Sequence, residues 1–259
     1  MNQVPETITI TDDGFTLPVI ELLTGRGFVT GKSGAGKSNT ASVVAEELLS
    51  LGIPLLIIDT DGEYYGLKEK FELLHVGATE ECDREIQVED AEEIAEVSLR
   101  EGLPVILDLS GFMDEDTVSD LVCRITDELF RLEQEERKPF LIMIEEIHEF
   151  LPQRGTRGAV SETLIRIAKR GRKHGLGITG MSQRPASVDK DFITQCDWIA
   201  WHRLTWSNDV AVVRDILGTE YADEVKELET GEAFLMTDWD ESINRLKIRQ
   251  KHTHDAGAA

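Results

Sequence analysis

The chain has 259 residues, 41% of them hydrophobic, enough for one large α/β domain or two small ones and too apolar for global disorder. Acidic residues outnumber basic ones 50 to 27, and the resulting net charge of −23 is spread along the chain rather than gathered in a tail. No apolar run reaches the about 18 residues of a membrane span, the acidic N-terminus lacks the build of a secretory signal, and Cys82, Cys123 and Cys196 form no CxxC pair, which argues against a disulfide framework or a zinc site and for a reducing cytoplasm.

The first 25 residues predict a small edge hairpin. From residue 26 onward, apolar runs alternate with helical stretches. RGFVTG predicts a short strand and KSNTASVVAEELLSLG a helix with apolar spacing near 3.6. PLLIID (54–59) and FELLHVG (71–77) predict strands, followed by an acidic helix, DAEEIAEVSLREG. PVILDLS (104–110) is a strand, DEDTVSDLVCRITDELFRLEQEE a long amphipathic helix, and PFLIMIEE (139–146) an apolar strand ending in two carboxylates. A basic helix, SETLIRIAKRGRKHG, precedes the strands GITGMSQ and DWIAWHRL, a helix near 207–217, and the closing pair EAFLMT and INRLKIRQ. Continuous apolar strands alternating with helices predict an α/β fold, a mostly parallel sheet with helices on both faces. The expected organisation is an edge segment over 1–25, one domain over 26–250 and a loose tail over 251–259.

The stretch Gly31-Lys32-Ser33-Gly34-Ala35-Gly36-Lys37-Ser38 fits GxxxxGK[ST] between a predicted strand and a predicted helix. Glycines permit a nest of backbone N–H groups around phosphate oxygens, and a helix N-terminus adds a favourable dipole. This reading gives Lys37 the β and γ phosphates, Ser38 a Mg²⁺ ion, and Asn39 an approach to the α-phosphate of a nucleoside triphosphate, ATP first. The apolar strand LIMI ends in Glu145, an acid suited to ordering Mg²⁺, and Glu146, placed to orient or deprotonate an attacking water. A paired glutamate favours hydrolysis by water over transfer to an acceptor.

Asp59-Thr60-Asp61-Gly62-Glu63 closes another strand, either as support for Mg²⁺ or a neighbouring subunit, or as a plain Asx turn. Gln183, at the end of GITGMSQ, is a candidate sensor of the γ-phosphate. Residues 166–174 hold Arg166, Lys169, Arg170, Arg172, Lys173 and His174, a cluster that stands out in so acidic a chain. It fits an arginine finger reaching a neighbour's γ-phosphate, a contact with DNA phosphates, or a solvated face that balances local acids. Arg154 and Arg157 lie in PQRGTRG, which reads as a loop able to line a channel. Trp198, Trp201 and Trp206 read as core or subunit contacts, and the histidines show no metal-ligand spacing. A dispersed acidic surface with 11 lysines points to life in high salt, where screening removes self-repulsion.

GKSGAGKSNT, IDTDGEY, MIEEIHEFLP, GRKHGLGITGMSQRP and ITQCDW, in this order, resemble the HerA/FtsK superfamily of DNA-pumping ATPases, in its HerA-like branch, over roughly residues 25 to 205. The resemblance implies a RecA-like core, a ring, usually a hexamer, and ATP hydrolysis with Mg²⁺ coupled to moving double-stranded DNA. By position it implies Lys37 and Ser38 at the nucleotide and metal, Glu145 and Glu146 as the acidic pair, Gln183 as sensor, and Arg172 or Arg170 as the finger acting in trans. Members of the HerA branch carry a barrel domain ahead of the motor, whereas about 30 residues precede the phosphate loop here. A bare motor of this size resembles the genome-packaging ATPases of some viruses in the same superfamily, and the acidic composition looks haloarchaeal or like a virus of such a host. A nuclease or a capsid is the partner implied, according to the branch. A phosphate-loop regulatory ATPase that acts through protein partners without moving DNA is the alternative. A transport-type ATPase would need an LSGGQ-like signature, from which Leu109-Ser110-Gly111-Phe112 departs after three residues.

Overall fold

The structure is a computed structural model and describes residues 6–254. Residues 1–5 of the expected edge segment and 255–259 of the expected tail lie outside the described residues. The described chain opens with an antiparallel hairpin, β1 (Thr7–Thr9) and β2 (Thr16–Pro18), separate from the main sheet, and then α1 (Val19–Thr24). The first half of the main alternation runs through β3 (Arg26–Thr30), α2 (Lys37–Ser50), β4 (Leu55–Asp59), β5 (Leu74–Gly77), β6 (Arg84–Glu85), α3 (Ala91–Glu96) and β7 (Val105–Asp108). The second half adds α4 (Glu115–Glu136), β8 (Phe140–Ile144), α5 (Ala159–Arg170), β9 (Leu176–Ser182), α6 (Lys190–Ile193) and β10 (Trp198–Trp201). It closes with α7 (Ser207–Leu217), α8 (Thr219–Glu224), β11 (Glu232–Thr237) and β12 (Ser242–Lys247).

Ten strands form one sheet in the order β12-β11-β10-β3-β9-β8-β4-β7-β5-β6. Pairing is parallel from β10 to β6 and antiparallel at β11 and β12. Both faces are covered, which is why the central strands read as unbroken apolar runs. Successive side chains point to opposite faces. Phe140, Ile142 and Ile144 of β8 therefore join the core beneath α3, α4 and α5, while Leu141 and Met143 join the one beneath α2 and the hairpin. Each fully buried side chain of this kind stabilises the fold by about 1.5–3 kcal/mol. Parallel pairing also brings the C-terminal ends of β3, β9, β8 and β4 to one rim. The phosphate-loop sequence, Gln183, the Glu145–Glu146 pair and Asp59 follow or end these strands.

Three elements differ from expectation. Phe71–Leu73 precede the strand rather than belong to it, because the Phe71 N–H donates to Leu67 O (3.1 Å) and closes a turn. The basic helix stops at Arg170, and residues 171–174 form a tighter turn ended by Gly175 at φ 97°. Residues 251–253, expected to belong to the tail, are hydrogen-bonded to α2. The N–H groups of His252 (2.7 Å) and Thr253 (2.8 Å) and the Thr253 hydroxyl (2.9 Å) donate to Glu46 Oε1 on α2, and Arg249 Nη1 donates to its Oε2 (3.0 Å). Burial alone would raise the Glu46 pKa, but these donors outweigh it and hold it below the usual range.

Glu133, in the last turn of α4, is fully buried, and neither carboxylate oxygen has a hydrogen-bond partner among the described residues. Burial pushes its pKa up to about 7. A raised folded-state pKa means stability that is fully present below the unfolded Glu pKa and is lost as pH rises through about 7, roughly 3 kcal/mol in all. Glu133→Gln should therefore exceed wild type by about 1–3 kcal/mol in urea denaturation at pH 8. The advantage should fade towards pH 5.

Candidate functional site: a phosphate-loop cleft

Gly34 (φ 72°) and Gly36 (φ 114°) take left-handed backbone conformations that L side chains rarely adopt. The loop is clamped from outside its own segment. Lys32 N–H donates to Arg203 O (2.9 Å) and Gly231 N–H to Ala35 O (2.9 Å). A Cβ on Gly36 would lie 2.9 Å from Gly231 Cα, and one on Gly31 would lie 2.5 Å from His202 Cβ. His202 is fully buried, and burial, reinforced by the Lys37 charge, lowers its pKa to about 4. The neutral ring donates through Nδ1 to Glu232 O (2.8 Å) and accepts at Nε2 from the Thr40 hydroxyl (2.8 Å). It forms an uncharged floor under the loop.

No side chain caps the N-terminus of α2, so its first N–H groups are free for an anion. They open into a cleft of about 390 Å³ lined by Lys32, Ser33, Gly34, Gly36, Lys37, Ser38 and Asn39. Opposite them stand Asp61, Glu63, Glu145, Glu146 and Gln183, and the remaining wall is Thr230, Gln250 and Lys251. Gly31 and Ala35 are not in this wall. They are buried and serve the loop's geometry. Asn39 reaches the cleft, but its amide is committed elsewhere: Nδ2 donates to Arg249 O (2.8 Å) and Oδ1 accepts from Lys251 N–H (2.9 Å). Through these two bonds it holds the C-terminal segment against the cleft.

Lys37 Nζ lies 3.3 Å from Glu146 Oε1 and 3.9 Å from Glu145 Oε1. Glu146 has φ 40°, a strained value for a residue with a side chain. Its Oε2 is 3.1 Å from His148 Nδ1 and accepts from Gln183 N–H (3.4 Å). Burial would raise the Glu146 pKa, but the His148 hydrogen bond and the Lys37 charge outweigh it, so the carboxylate is held ionised below its usual range. Glu145 is the opposite case. Burial, then the charge of Asp59, push it well up, and its Oε2 has no partner.

Asp59 settles the turn after β4. Its Oδ1 accepts from the N–H groups of Gly62 (2.8 Å) and Glu63 (3.1 Å), and its Oδ2 from that of Tyr64 (2.9 Å). Asp59 is thus the turn-former, and the turn delivers Asp61 and Glu63 to the cleft. Carboxylate oxygens of Asp61, Glu63 and Glu145 lie within 4.8 Å of one another. Hard oxygen donors, one of them buried without a partner, fit a Mg²⁺ ion with Ser38 on the same wall.

The basic cluster lies elsewhere. Residues 170–174 precede the N-terminal end of β9, roughly 20 Å of strand from Gln183 at its other end. Arg172 pairs with Glu21 (2.7 Å) and Asp197 (3.1 Å), Lys169 with Asp191 (3.2 Å), and Arg166 with Asp127. Arg170 is exposed and makes no ion pair among the described residues. Neither Arg170 nor Arg172 reaches the cleft of its own chain. Arg157 is held by Asp189 (2.7 Å) and Asp191 (3.0 Å). Trp198 and Trp201 are core, while Trp206 is 76% exposed. The sequence reading missed His202, His148, Thr230 and Gln250. His202 and Thr230 have no motif, His148 lies inside MIEEIHEFLP with no role drawn from it, and Gln250 lies at the end of a run read only as a strand.

A phosphate loop between a parallel strand and a helix, faced by an acidic pair two strands away, defines a P-loop NTPase with a RecA-like sheet. Residues 15–97 match the family described as Helicase HerA, central domain. The chain is 32% identical over 101 residues to the DNA double-strand break repair helicase HerA of Pyrococcus furiosus, a match covering 38% of this chain and 18% of that protein. It is 23% identical over 305 residues to HerA of Sulfolobus acidocaldarius, covering 80% of this chain and 61% of the relative. The chain thus spans less than two thirds of the length of these relatives. In fold it resembles the genome packaging NTPase B204 of Sulfolobus turreted icosahedral virus 2, with a TM-score of 0.62 at 15% identity over 87% of this chain and 98% of that one. The chain has a P-loop NTPase fold and is similar to proteins of the HerA/FtsK type.

Gly36 tests the loop. Gly36→Ala forces a side chain into a left-handed position against Gly231, a strain of about 1–3 kcal/mol. The expected result is loss of fluorescent-nucleotide binding with an unchanged far-ultraviolet circular dichroism spectrum.

Proposed function

We propose that this chain is an ATP-hydrolysing motor that moves double-stranded DNA as part of a ring-shaped oligomer, a hexamer by resemblance. The observation that carries hydrolysis is Glu146, a carboxylate kept ionised beside Lys37 at the mouth of the phosphate loop. Backbone N–H groups and Lys37 bind and orient the triphosphate. Glu146 accepts a proton from, or aligns, the attacking water, and His148 and Gln183 N–H fix its second oxygen. Mg²⁺, held by Ser38 and Glu145, would neutralise charge on the phosphates. Gln183, which lines the same cleft, serves in this reading as the sensor of the γ-phosphate.

No arginine lines the cleft among the described residues. This supports a site completed in trans, with Arg172 or Arg170 as the donor to a neighbour. The DNA reading rests on the names of the relatives: HerA is a DNA repair helicase, and B204 a genome packaging NTPase. That 87% of this chain spans 98% of B204 favours a packaging motor as the second reading, with a capsid in place of a nuclease as partner. A regulatory ATPase acting through protein partners is the third. The acidic surface fits a salt-rich cytoplasm.

Lys37→Ala should abolish turnover. Glu146→Gln should bind ATP normally and slow hydrolysis by about 10²–10⁴-fold in single-turnover assays. Hydrolysis at the wild-type rate would remove Glu146 from the mechanism. In molar KCl, double-stranded DNA should stimulate ATPase activity of the assembled wild type. A strictly monomeric protein indifferent to DNA would point to the regulatory reading. Mixing Arg172→Ala with Glu146→Gln subunits should restore activity that neither has alone if Arg172 serves a neighbour's cleft.

A further inference from the structure

Beyond the cleft, on the far side of β4, three side chains with metal-binding chemistry converge. His75 of β5 and Asp108 at the end of β7 are buried, and Cys82 comes from the loop between β5 and β6, partly open to solvent. His75 Nε2 lies 3.2 Å from Asp108 Oδ2 and 3.7 Å from Cys82 Sγ, and all three donor atoms fall within 4.8 Å of one another. A tetrahedral zinc ion with bonds of about 2.0–2.1 Å to N and O and about 2.3 Å to S sets its ligands about 3.3–3.6 Å apart. The two separations from His75 Nε2 are close to that geometry.

We propose that His75, Cys82 and Asp108 form a binding site for a divalent transition cation of the zinc class, with its fourth position open to water. Three features separate this from a plain hydrogen-bond cluster. Asp108 Oδ1 is occupied by the N–H (2.9 Å) and hydroxyl (2.6 Å) of Ser110, which turns Oδ2 towards the site as an outer-shell partner does. The Thr79 hydroxyl lies 3.3 Å from Cys82 Sγ, where it can donate to a thiolate. A Cβ on Gly77 would lie 2.9 Å from Cys82 Sγ and 2.4 Å from Asp108 O, so the sulfur approaches because that position is glycine. A nucleophilic Cys–His–Asp relay is excluded by connectivity. It needs the carboxylate on the nitrogen opposite the thiol, whereas here both face Nε2 and Nδ1 has no partner. The donors converge on one point instead of lying in series.

The His75 ring stacks on Tyr65 (6.4 Å, 14°), and Asp108 is the register partner of Asp59, which forms the Asp61–Glu63 turn. A bound ion would therefore cross-link β5, β7 and the Cys82 loop beside one wall of the nucleotide cleft.

The test is metal binding and thiol reactivity, read without nucleotide. Cobalt(II) added to the metal-free protein should bind one per chain with a thiolate-to-cobalt charge-transfer absorption. Cys82→Ser should remove that absorption, and Cys123→Ser should leave it intact. Zinc should slow alkylation of Cys82 in the wild type about tenfold or more, mapped by mass spectrometry, without slowing that of Cys123. No charge-transfer band, a band that survives Cys82→Ser, or equal alkylation of Cys82 with and without zinc each overturns the site. The alkylation arm needs no variant, so it stands even if Cys82→Ser fails to fold.

Discussion

Lys37 faces Glu146 at 3.3 Å and Glu145 at 3.9 Å on a rim where Asp59, Asp61 and Glu63 add further negative charge. Lys37 alone cannot neutralise this many carboxylates. The crowding is relieved in three ways: Asp59 spends its oxygens on backbone N–H groups, Glu145 is driven towards its neutral form, and Glu146 keeps its charge beside Lys37. The division of labour between two adjacent glutamates follows from burial and partners, not from their chemistry. A triphosphate entering this rim competes with Glu146 for Lys37, and a divalent cation satisfies the acids it leaves. The cleft is thus electrostatically biased towards a metal–nucleotide pair over either alone.

Much of this was legible in the sequence because the parallel sheet writes itself as unbroken apolar runs. LLIID, FLIMI and the phosphate-loop consensus mark three strand ends that parallel pairing must bring to one rim. The less legible parts depend on contacts between distant residues. Asn39 is two positions past the loop lysine, yet its amide answers to residues 249 and 251. His202 sits in a strand end with no motif, and only the packing of β10 beside β3 puts it under Gly31. Arg172 stands in a basic cluster whose meaning depends on Glu21 and Asp197, which approach it from other elements. His75, Cys82 and Asp108 are spaced too widely for any ligand motif, and the sheet order β4-β7-β5 assembles them.

The acidic surface has a structural counterpart. Half of the basic cluster is paired within the chain: Arg166 with Asp127, Lys169 with Asp191, and Arg172 with Glu21 and Asp197. Exposed pairs of this kind contribute about 0–1 kcal/mol each and weaken as salt rises. Arg154, Arg170 and Arg184 make no ion pair among the described residues, so high salt has little internal pairing to release at these positions.

The segment from Arg249 to Thr253 turns the end of the described chain into a mechanical element. Glu46 anchors it to α2, the helix that begins at the phosphate loop, while Gln250 and Lys251 form part of the cleft wall. The same segment is bonded to Asn39 through the Lys251 N–H (2.9 Å), and its two anchors on Glu46, Arg249 and Thr253, lie on either side of the wall residues. Displacement of this short segment would therefore reshape the cleft wall beside it.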